Sequence, residues 1–250
     1  MILKLNTASF ISSVIGHGVR QTLFEMEVED NNSVHKIDNH LVRRLIVLPL
    51  TEAFNPSQAS GMHGKVQYGD KCSLPASIGK LIFEKPYEVP WLFEISPVRQ
   101  ENQFKSNQVS NDRALTSTVI SNGKVLTKAF CSPLDFRSPE NYIFLPRWLM
   151  NTLNVTSYDL VDISFVRIKM ASLIVFQPLT NAWDELVATN NADPKTILEQ
   201  EVNKYSSLTA GSTIAIEVSG KEIPLYVKET IAEGVGTDCI YLVIMTVIAP

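Results

Sequence analysis

Cysteine is scarce in this sequence of 250 residues, which has three (Cys72, Cys131 and Cys239) and no C-x-x-C pair. An odd number of scattered cysteines is not typical of a disulfide framework or of a zinc site. We therefore expect a protein of a reducing compartment, cytoplasmic and/or nuclear, with no metal and no other cofactor.

A basic stripe and a long apolar run are also missing. The chain carries 22 lysine and arginine residues against 26 aspartate and glutamate residues, which gives a formal net charge of -4 at pH 7. Phosphate binding usually needs clustered positive charge, and a membrane helix needs roughly 18 consecutive apolar residues. The sequence therefore predicts no nucleic-acid partner and no membrane insertion.

Short runs rich in Val, Ile, Phe and Tyr, bounded by Gly, Pro, Asn or Ser, predict a mainly β protein. A tight turn at Ser219-Gly220-Lys221 is expected to join two of these runs as a hairpin. The predicted strands are Leu45–Leu50, Trp91–Ser96, Val125–Phe130, Tyr142–Leu145, Leu160–Arg167, Leu173–Gln177, Thr213–Val218, Glu222–Lys228 and Cys239–Ile248.

The predicted helices are few and short. Each has a proline at or next to its start, which suits the first helical turn because the missing N–H would be unpaired there anyway. Asp193 is a good N-cap for the third helix, in which Ile197, Leu198 and Val202 form an apolar stripe. The predicted helices are Pro75–Phe83, Pro146–Leu153 and Asp193–Tyr205.

A unit made of a short strand, a Leu-Pro pair and a helical turn occurs twice. The copies are Lys71–Ile82 and Tyr142–Leu153, and each has apolar residues three and seven positions beyond its proline. Proline stops strand pairing and its fixed φ starts the helix, while the apolar residues share one helix face. The repeat predicts a pseudo-two-fold closed sheet, which leaves no exposed strand edges.

The pattern changes near Gln177-Pro178, from strands with short helices to a longer helix followed by a hairpin. Residues 1–177 are therefore predicted to form the barrel subdomain, with an N-terminal extension and a polar insertion near 101–122. Residues 178–250 are predicted to form a smaller α/β subdomain.

Several segments, collinear over roughly Lys71 to Val218, point to one family. YIFLPRWLM at 142–150 is similar to a family strand that ends in Leu-Pro before an aromatic and Met-rich turn, and DPKTILE at 193–199 is similar to Asp-Pro-Lys-Ala-Val-Leu-Glu. The chain thus resembles the N-terminal domain of the ubiquitin fusion degradation protein family. The other matching segments are Leu74–Ser77, Val89–Glu94, Val175–Pro178 and Tyr205–Ile214.

This resemblance implies a mainly β, α+β fold, with a double-psi β-barrel subdomain followed by a smaller α/β subdomain. It also implies binding of ubiquitin or polyubiquitin in protein degradation, including ER-associated degradation. The implied partners are the valosin-containing AAA ATPase segregase and the nuclear protein localisation partner. The Phe-x-Gly-x-Gly segments that dock the ATPase in the family are absent from this sequence, so contact with the ATPase is expected to be indirect.

No catalytic motif is recognisable, so we predict a protein that is not an enzyme. The four histidines all lie in the first quarter of the chain, with no spacing that pairs them with a cysteine. Asp135-Phe136-Arg137 and Asp159-Leu160-Val161 lack the Asp-Thr/Ser-Gly form of aspartic proteases. An enzyme on the barrel would need perturbed polar groups in a deep pocket.

Trp183 and Leu186 are the candidate protein-interaction residues, because an exposed Trp and Leu in a polar stretch could anchor a partner. The alternative is that Trp183 packs between the two subdomains, since Trp is highly buried on average.

Two non-catalytic functions remain. The first is an adaptor that binds ubiquitin or polyubiquitinated substrates for an AAA ATPase segregase. The second is a scaffold with the same fold that has lost ubiquitin binding and contacts another protein through the N-terminal extension and the insertion.

Overall fold

The computed structural model describes residues 41–51, 66–85, 87–98, 125–190, 193–232, 235–236, 239–241 and 247–248, together with residues 26, 28 and 29. The predicted insertion near 101–122 and nearly all of the predicted N-terminal extension lie outside these residues.

The described chain is mainly β. The strands are β1 (Val42–Pro49), β2 (Lys71–Pro75), β3 (Leu92–Pro97), β4 (Ala129–Ser138), β5 (Tyr142–Leu145), β6 (Leu160–Val166), β7 (Leu173–Pro178), β8 (Ser207–Thr209), β9 (Thr213–Val218), β10 (Lys221–Ala232), β11 (Val235–Gly236), β12 (Cys239–Tyr241) and β13 (Val247–Ile248). The helices are α1 (Ala76–Glu84), α2 (Arg147–Leu153), α3 (Ala182–Asn190) and α4 (Pro194–Val202). None of the described helices is long and apolar enough to cross a lipid bilayer.

The first six strands close into a barrel in the order β1-β5-β2-β4-β3-β6. Strand β1 is parallel to β5 and antiparallel to β6, and β4 is likewise parallel to β2 and antiparallel to β3. The remaining neighbours, β2 with β5 and β3 with β6, are both antiparallel. Exchange of one half for the other therefore preserves every pairing, which confirms the predicted pseudo-two-fold closed sheet and the double-psi type of barrel.

The repeated Leu-Pro unit builds the two halves as the sequence predicts. Pro75 and Pro146 both have extended ψ angles, 149° and 145°, and each passes directly into a helix, α1 or α2. The apolar residues beyond the prolines face the barrel core, because Ile78, Ile82 and Leu153 are 1% exposed and Leu149 is fully buried.

The second subdomain is built around β10. This strand pairs antiparallel with β7, β9 and β11, and β13 adds in parallel to the other side of β7. Helices α3 and α4 bury Trp183, Leu186 and Leu198 against this sheet in a second apolar core. The subdomain is thus of the predicted α/β type, and the fold class is confirmed.

The predicted boundary at 177/178 falls at the last residues of β7. That strand hydrogen-bonds to β10, with Phe176 opposite Val227, so it lies in the sheet of the second subdomain. The bounds 1–177 and 178–250 themselves stay a prediction.

Most strands and helices lie within a few residues of their predicted positions, and three differences stand out. Strand β1 begins at Val42 instead of Leu45, β4 runs from Ala129 to Ser138 instead of 125–130, and α3 was not predicted. The predicted hairpin turn is present, because Ser219 and Gly220 have φ angles of 53° and 78° between β9 and β10.

Candidate protein-interaction surface and subdomain seam

One side of the barrel carries a cluster of partly exposed apolar side chains, which we name the aromatic surface. It combines the end of α1, the segment that leads into β3, and single residues of β4 and β6. Its members are Phe83, Tyr87, Val89, Trp91, Phe136 and Phe165.

Helix periodicity explains why Phe83 faces outwards. Successive residues turn by about 100°, so Ile78 and Ile82 share a face while Phe83 lies well to one side of it. Ile82 is 1% exposed and Phe83 is 69% exposed, although they are neighbours in the chain. Val89 is 76% exposed, and these two are the most exposed large apolar side chains of the described residues. Large apolar side chains that are this exposed are often part of a contact site.

The rings hold one another in place. The centroid of Phe83 lies 5.2 Å from that of Trp91 and 6.0 Å from that of Phe136, both in edge-to-face geometry. The Trp91 indole N–H donates to the carbonyl oxygen of Tyr87 at 3.2 Å. Aromatic pairs of this geometry are favourable beyond the area they bury. The surface is therefore preorganised.

The surface is also anchored in the barrel core. The Tyr87 ring packs against Phe165 in a tilted arrangement with centroids 4.5 Å apart, and Phe165 meets the fully buried Phe93 at 5.8 Å. Tyr87, Trp91, Phe136 and Phe165 all pack against the core cluster. Phe83 thus projects from a base of packed rings, and Val89 lies in the chain segment between Tyr87 and Trp91.

Charged side chains around the aromatic surface are paired within the chain. Lys80 lies 3.8 Å from Glu84, one helical turn away. The Arg167 guanidinium lies 2.9 Å from the Glu88 carboxylate. Arg137 lies 2.6 Å from Asp135 on the same strand, β4. The rim therefore presents no net field of one sign to a partner.

A second polar feature joins the two subdomains, and we name it the seam. Its centre is Asp70, which is fully buried beside the start of β2. The backbone N–H groups of Ser206 and Ser207 donate to its two carboxylate oxygens at 2.8 and 2.9 Å, and the Ser207 hydroxyl donates at 2.8 Å. Burial raises the pKa of Asp70 above its ordinary value, while Lys71 and these donors act in the opposite direction.

Lys71 makes the second link of the seam. Its ammonium group donates to the hydroxyl oxygens of Ser132 on β4 (2.7 Å) and Ser206 (2.6 Å). The two hydroxyls lie 3.0 Å apart, so one lysine bridges the barrel and the second subdomain. No buried side-chain nitrogen or oxygen of the described residues lacks a hydrogen-bond partner. The seam is thus a fully satisfied polar joint.

Trp148 on α2 adds an aromatic contact to the seam. Its indole N–H donates to the carbonyl oxygen of Gly69 at 2.9 Å, and its ring meets Tyr205 edge-to-face at 5.7 Å. Trp148 packs against both apolar cores. Trp148 therefore packs between the two subdomains, whereas Trp183 belongs to the core of the second.

The structure places both predicted interaction residues in the interior. Trp183 is 4% exposed and Leu186 is 5% exposed, and both belong to the core of the second subdomain. These side chains are therefore not exposed as the sequence analysis expected, because α3 directs them onto the sheet. Whether either residue takes part in partner binding stays a prediction.

The Cys/His pair that a hydrolase of that type needs is not assembled in the described part of the chain. The histidines at positions 17, 35, 40 and 63 lie outside it. Cys72 and Cys131 lie with their sulfur atoms 3.2 Å apart, fully buried. Burial raises the pKa of the Cys131 thiol, and its contact with Cys72 adds to this. A neutral, inaccessible thiol is a poor nucleophile.

Phe83 and Val89 are the surface residues that the sequence reasoning missed. The signal was present, because two large apolar residues adjoin at 82–83 and a helix can bury only one of them on a single face. The seam had no comparable signal, since Asp70 and Ser206 are 136 positions apart.

The fold and these features define a two-subdomain module, with a closed double-psi type barrel joined by a polar seam to an α/β subdomain. Residues 50–169, which include β2 to β6, match the family described as "Ubiquitin fusion degradation protein UFD1, N-terminal subdomain 1". This match supports the family that the sequence motifs indicated.

Curated relatives support the same family. A Caenorhabditis elegans "Ubiquitin fusion degradation protein 1 homolog" is 24% identical over 70% of this chain and 43% of its own length. A Homo sapiens "Ubiquitin recognition factor in ER-associated degradation protein 1" is 35% identical over 40% of this chain and 31% of its own length. The Saccharomyces cerevisiae "Ubiquitin fusion degradation protein 1" is 27% identical over 40% of this chain and 27% of its own length. The chain thus spans less than half the length of these relatives.

Proposed function

We propose that this chain is a non-catalytic adaptor that binds ubiquitin or polyubiquitinated substrates in ubiquitin-dependent protein degradation, in the cytoplasm and/or the nucleus. The observation that carries the proposal is the match of the barrel to the family, together with a relative named as a ubiquitin recognition factor. An aromatic surface that packs on the barrel core supports protein binding over small-molecule chemistry.

The direct test is titration of the chain into isotope-labelled ubiquitin and tetra-ubiquitin, followed by NMR. Saturable chemical-shift changes are expected for both forms. Binding should be tighter for tetra-ubiquitin, because its linked copies raise the effective concentration of ubiquitin at the site. If neither form shifts at millimolar concentration, the adaptor proposal is wrong. Retention of another partner without ubiquitin binding would then favour the scaffold hypothesis.

We further propose that the adaptor serves an AAA ATPase segregase of the valosin-containing type, with the nuclear protein localisation partner as the link. Sedimentation of the chain with the purified ATPase, with and without that partner, tests this. Co-sedimentation is expected only in the presence of the partner, because the partner is the proposed link to the ATPase. Co-sedimentation without the partner would contradict the indirect link.

A further inference from the structure

We propose that the aromatic surface is the ubiquitin contact of this chain, and that it receives an aliphatic, weakly charged face of ubiquitin centred on Phe83 and Val89. The inference rests on the proposed function and adds the location and the chemistry of the contact.

Exposure is the first argument. Of the five large apolar side chains that are exposed in the described residues, Phe83 and Val89 have the highest values, 69% and 76%. The others, Met26, Val125 and Met170, are 57, 47 and 52% exposed and lie outside the α1–β3 segment. A contact site of a folded protein is expected where such groups converge on fixed neighbours.

Preorganisation is the second argument. Phe83 is held edge-to-face by Trp91 and Phe136, which themselves pack on the barrel core. A ring that is already fixed loses little conformational entropy when it is covered, so more of the contact energy appears as affinity. Aromatic anchors of this kind dominate the energetics of protein interfaces.

Charge selects the occupant. A nucleic acid, a phosphorylated peptide or an acidic membrane would need cations directed outwards. Here Lys80, Arg167 and Arg137 each face a carboxylate of this chain, at 3.8, 2.9 and 2.6 Å. A centre of exposed apolar groups with an internally neutralised rim complements a partner face that is itself apolar and nearly uncharged.

The test compares three single substitutions to serine. Phe83→Ser and Val89→Ser remove the two exposed groups of the aromatic surface, and Met170→Ser removes an exposed apolar group outside the α1–β3 segment as the matched control. Val89 has no ring contacts to lose, so it keeps the test valid if Phe83→Ser disturbs Trp91. Circular dichroism and thermal unfolding establish that each variant is folded. The affinity for ubiquitin is measured by NMR titration.

Phe83→Ser and Val89→Ser are expected to weaken ubiquitin binding about tenfold each, as for interface anchors, with Met170→Ser within about twofold of the wild type. Wild-type affinity is expected to change less than about threefold between roughly 0.05 and 0.5 M salt, because Lys80, Arg137 and Arg167 are already paired within the chain. In the reverse titration, shifts in this chain are expected to centre on Phe83–Trp91, Phe136 and Phe165.

The outcomes separate the two levels of the argument. If the wild type binds ubiquitin and both surface variants bind equally well, the location is wrong and the adaptor function stands. A steep fall of affinity with salt would contradict an apolar contact even if the variants weaken it. If the wild type itself does not bind, the proposed function fails and this inference falls with it.

Discussion

Gly79 is the residue at which α1 comes closest to the barrel wall. A Cβ added there would lie 2.7 Å from Cγ of Phe136 and 3.1 Å from its Cβ, near the fixed end of that side chain. Glycine in a helix interior costs about 0.5–1 kcal/mol relative to alanine, so its presence here reflects packing. The close approach of α1 to Phe136 is what brings Phe83 into ring contact.

We predict that Gly79→Ala lowers the free energy of unfolding by about 1–3 kcal/mol, because overpacking outweighs the gain in helix propensity. Denaturant unfolding measures this, with Lys80→Ala as the control on the exposed side of α1. The displaced Phe136 ring should also weaken ubiquitin binding relative to the wild type. A Gly79→Ala variant more stable than the wild type would show that α1 moves aside without cost.

At the scale of the element, helix α4 depends on its N-cap, Asp193, which the sequence predicts. The Asp193 carboxylate accepts hydrogen bonds from the N–H groups of Lys195 and Thr196, both at 3.3 Å, and from the Thr196 hydroxyl at 3.0 Å. The hydroxyl bond is the main reason that the pKa of Asp193 lies below its ordinary value of 3.8. Pro194 occupies the first helical turn.

Asp193→Ala is expected to reduce the hydrogen-exchange protection of the α4 amides, because the first turn loses its acceptors. A lowered carboxyl pKa gives stability that is present above the unfolded value of 3.8 and is lost as pH falls through the folded pKa. The loss of α4 protection in Asp193→Ala relative to the wild type should therefore be present at neutral pH and disappear in acid. Asp193→Asn, which keeps a neutral acceptor, is the control. Unchanged protection in Asp193→Ala at neutral pH would contradict the role of the cap.

Elements with local signals were predictable, and elements made by distant partners were not. Strand β1 starts early because Arg44, which reads as a polar break, faces Asp162 of β6 with its guanidinium 2.8 and 2.9 Å from the carboxylate oxygens. Strand β4 continues through polar Asp135, because its carboxylate accepts from the Ser73 hydroxyl on β2. Neither of these two pairings can be predicted from the residues next to it in the sequence.

Helix α3 was missed for a related reason. Its apolar face consists of little more than Trp183, Leu186 and the partly buried Val187, between polar neighbours. So narrow a stripe does not distinguish a helix from a loop, and in a loop the Trp reads as exposed. The second core, assembled mainly from β7, β9, β10 and α4, is what buries it.

At the scale of the molecule, the two halves of the barrel share a pairing scheme but use their helices differently. Eight positions beyond its proline the first unit has Phe83, which is exposed to solvent. The equivalent position of the second is Asn154, whose left-handed conformation (φ 53°) ends α2. Helix α2 instead directs Trp148 into the seam. The helix of the first unit therefore contributes to the aromatic surface, and the helix of the second contacts the second subdomain.

The seam makes the stability of the whole molecule sensitive to pH through Asp70. Burial raises the pKa of this carboxyl in the folded state above the ordinary value of 3.8 expected in the unfolded chain. The folded state thus binds its proton at a higher pH than the unfolded state does. As pH rises through this window the free energy of unfolding falls, and it is regained when pH is lowered again.

Asp70→Asn removes this titration and places an amide N–H₂ against the donors of Ser206 or Ser207. The variant is expected to be less stable than the wild type, and the gap in free energy of unfolding should widen as pH is lowered from 7 to about 4. Denaturant unfolding across this range measures the gap. Asp193→Asn is the matched control. The lowered pKa of Asp193 places its titration below 3.8, so the difference in free energy of unfolding between Asp193→Asn and the wild type should stay constant over this range. A gap for Asp70→Asn that narrows in acid would mean that the three donors and Lys71 outweigh burial, and that the seam is held by a carboxylate with a lowered pKa.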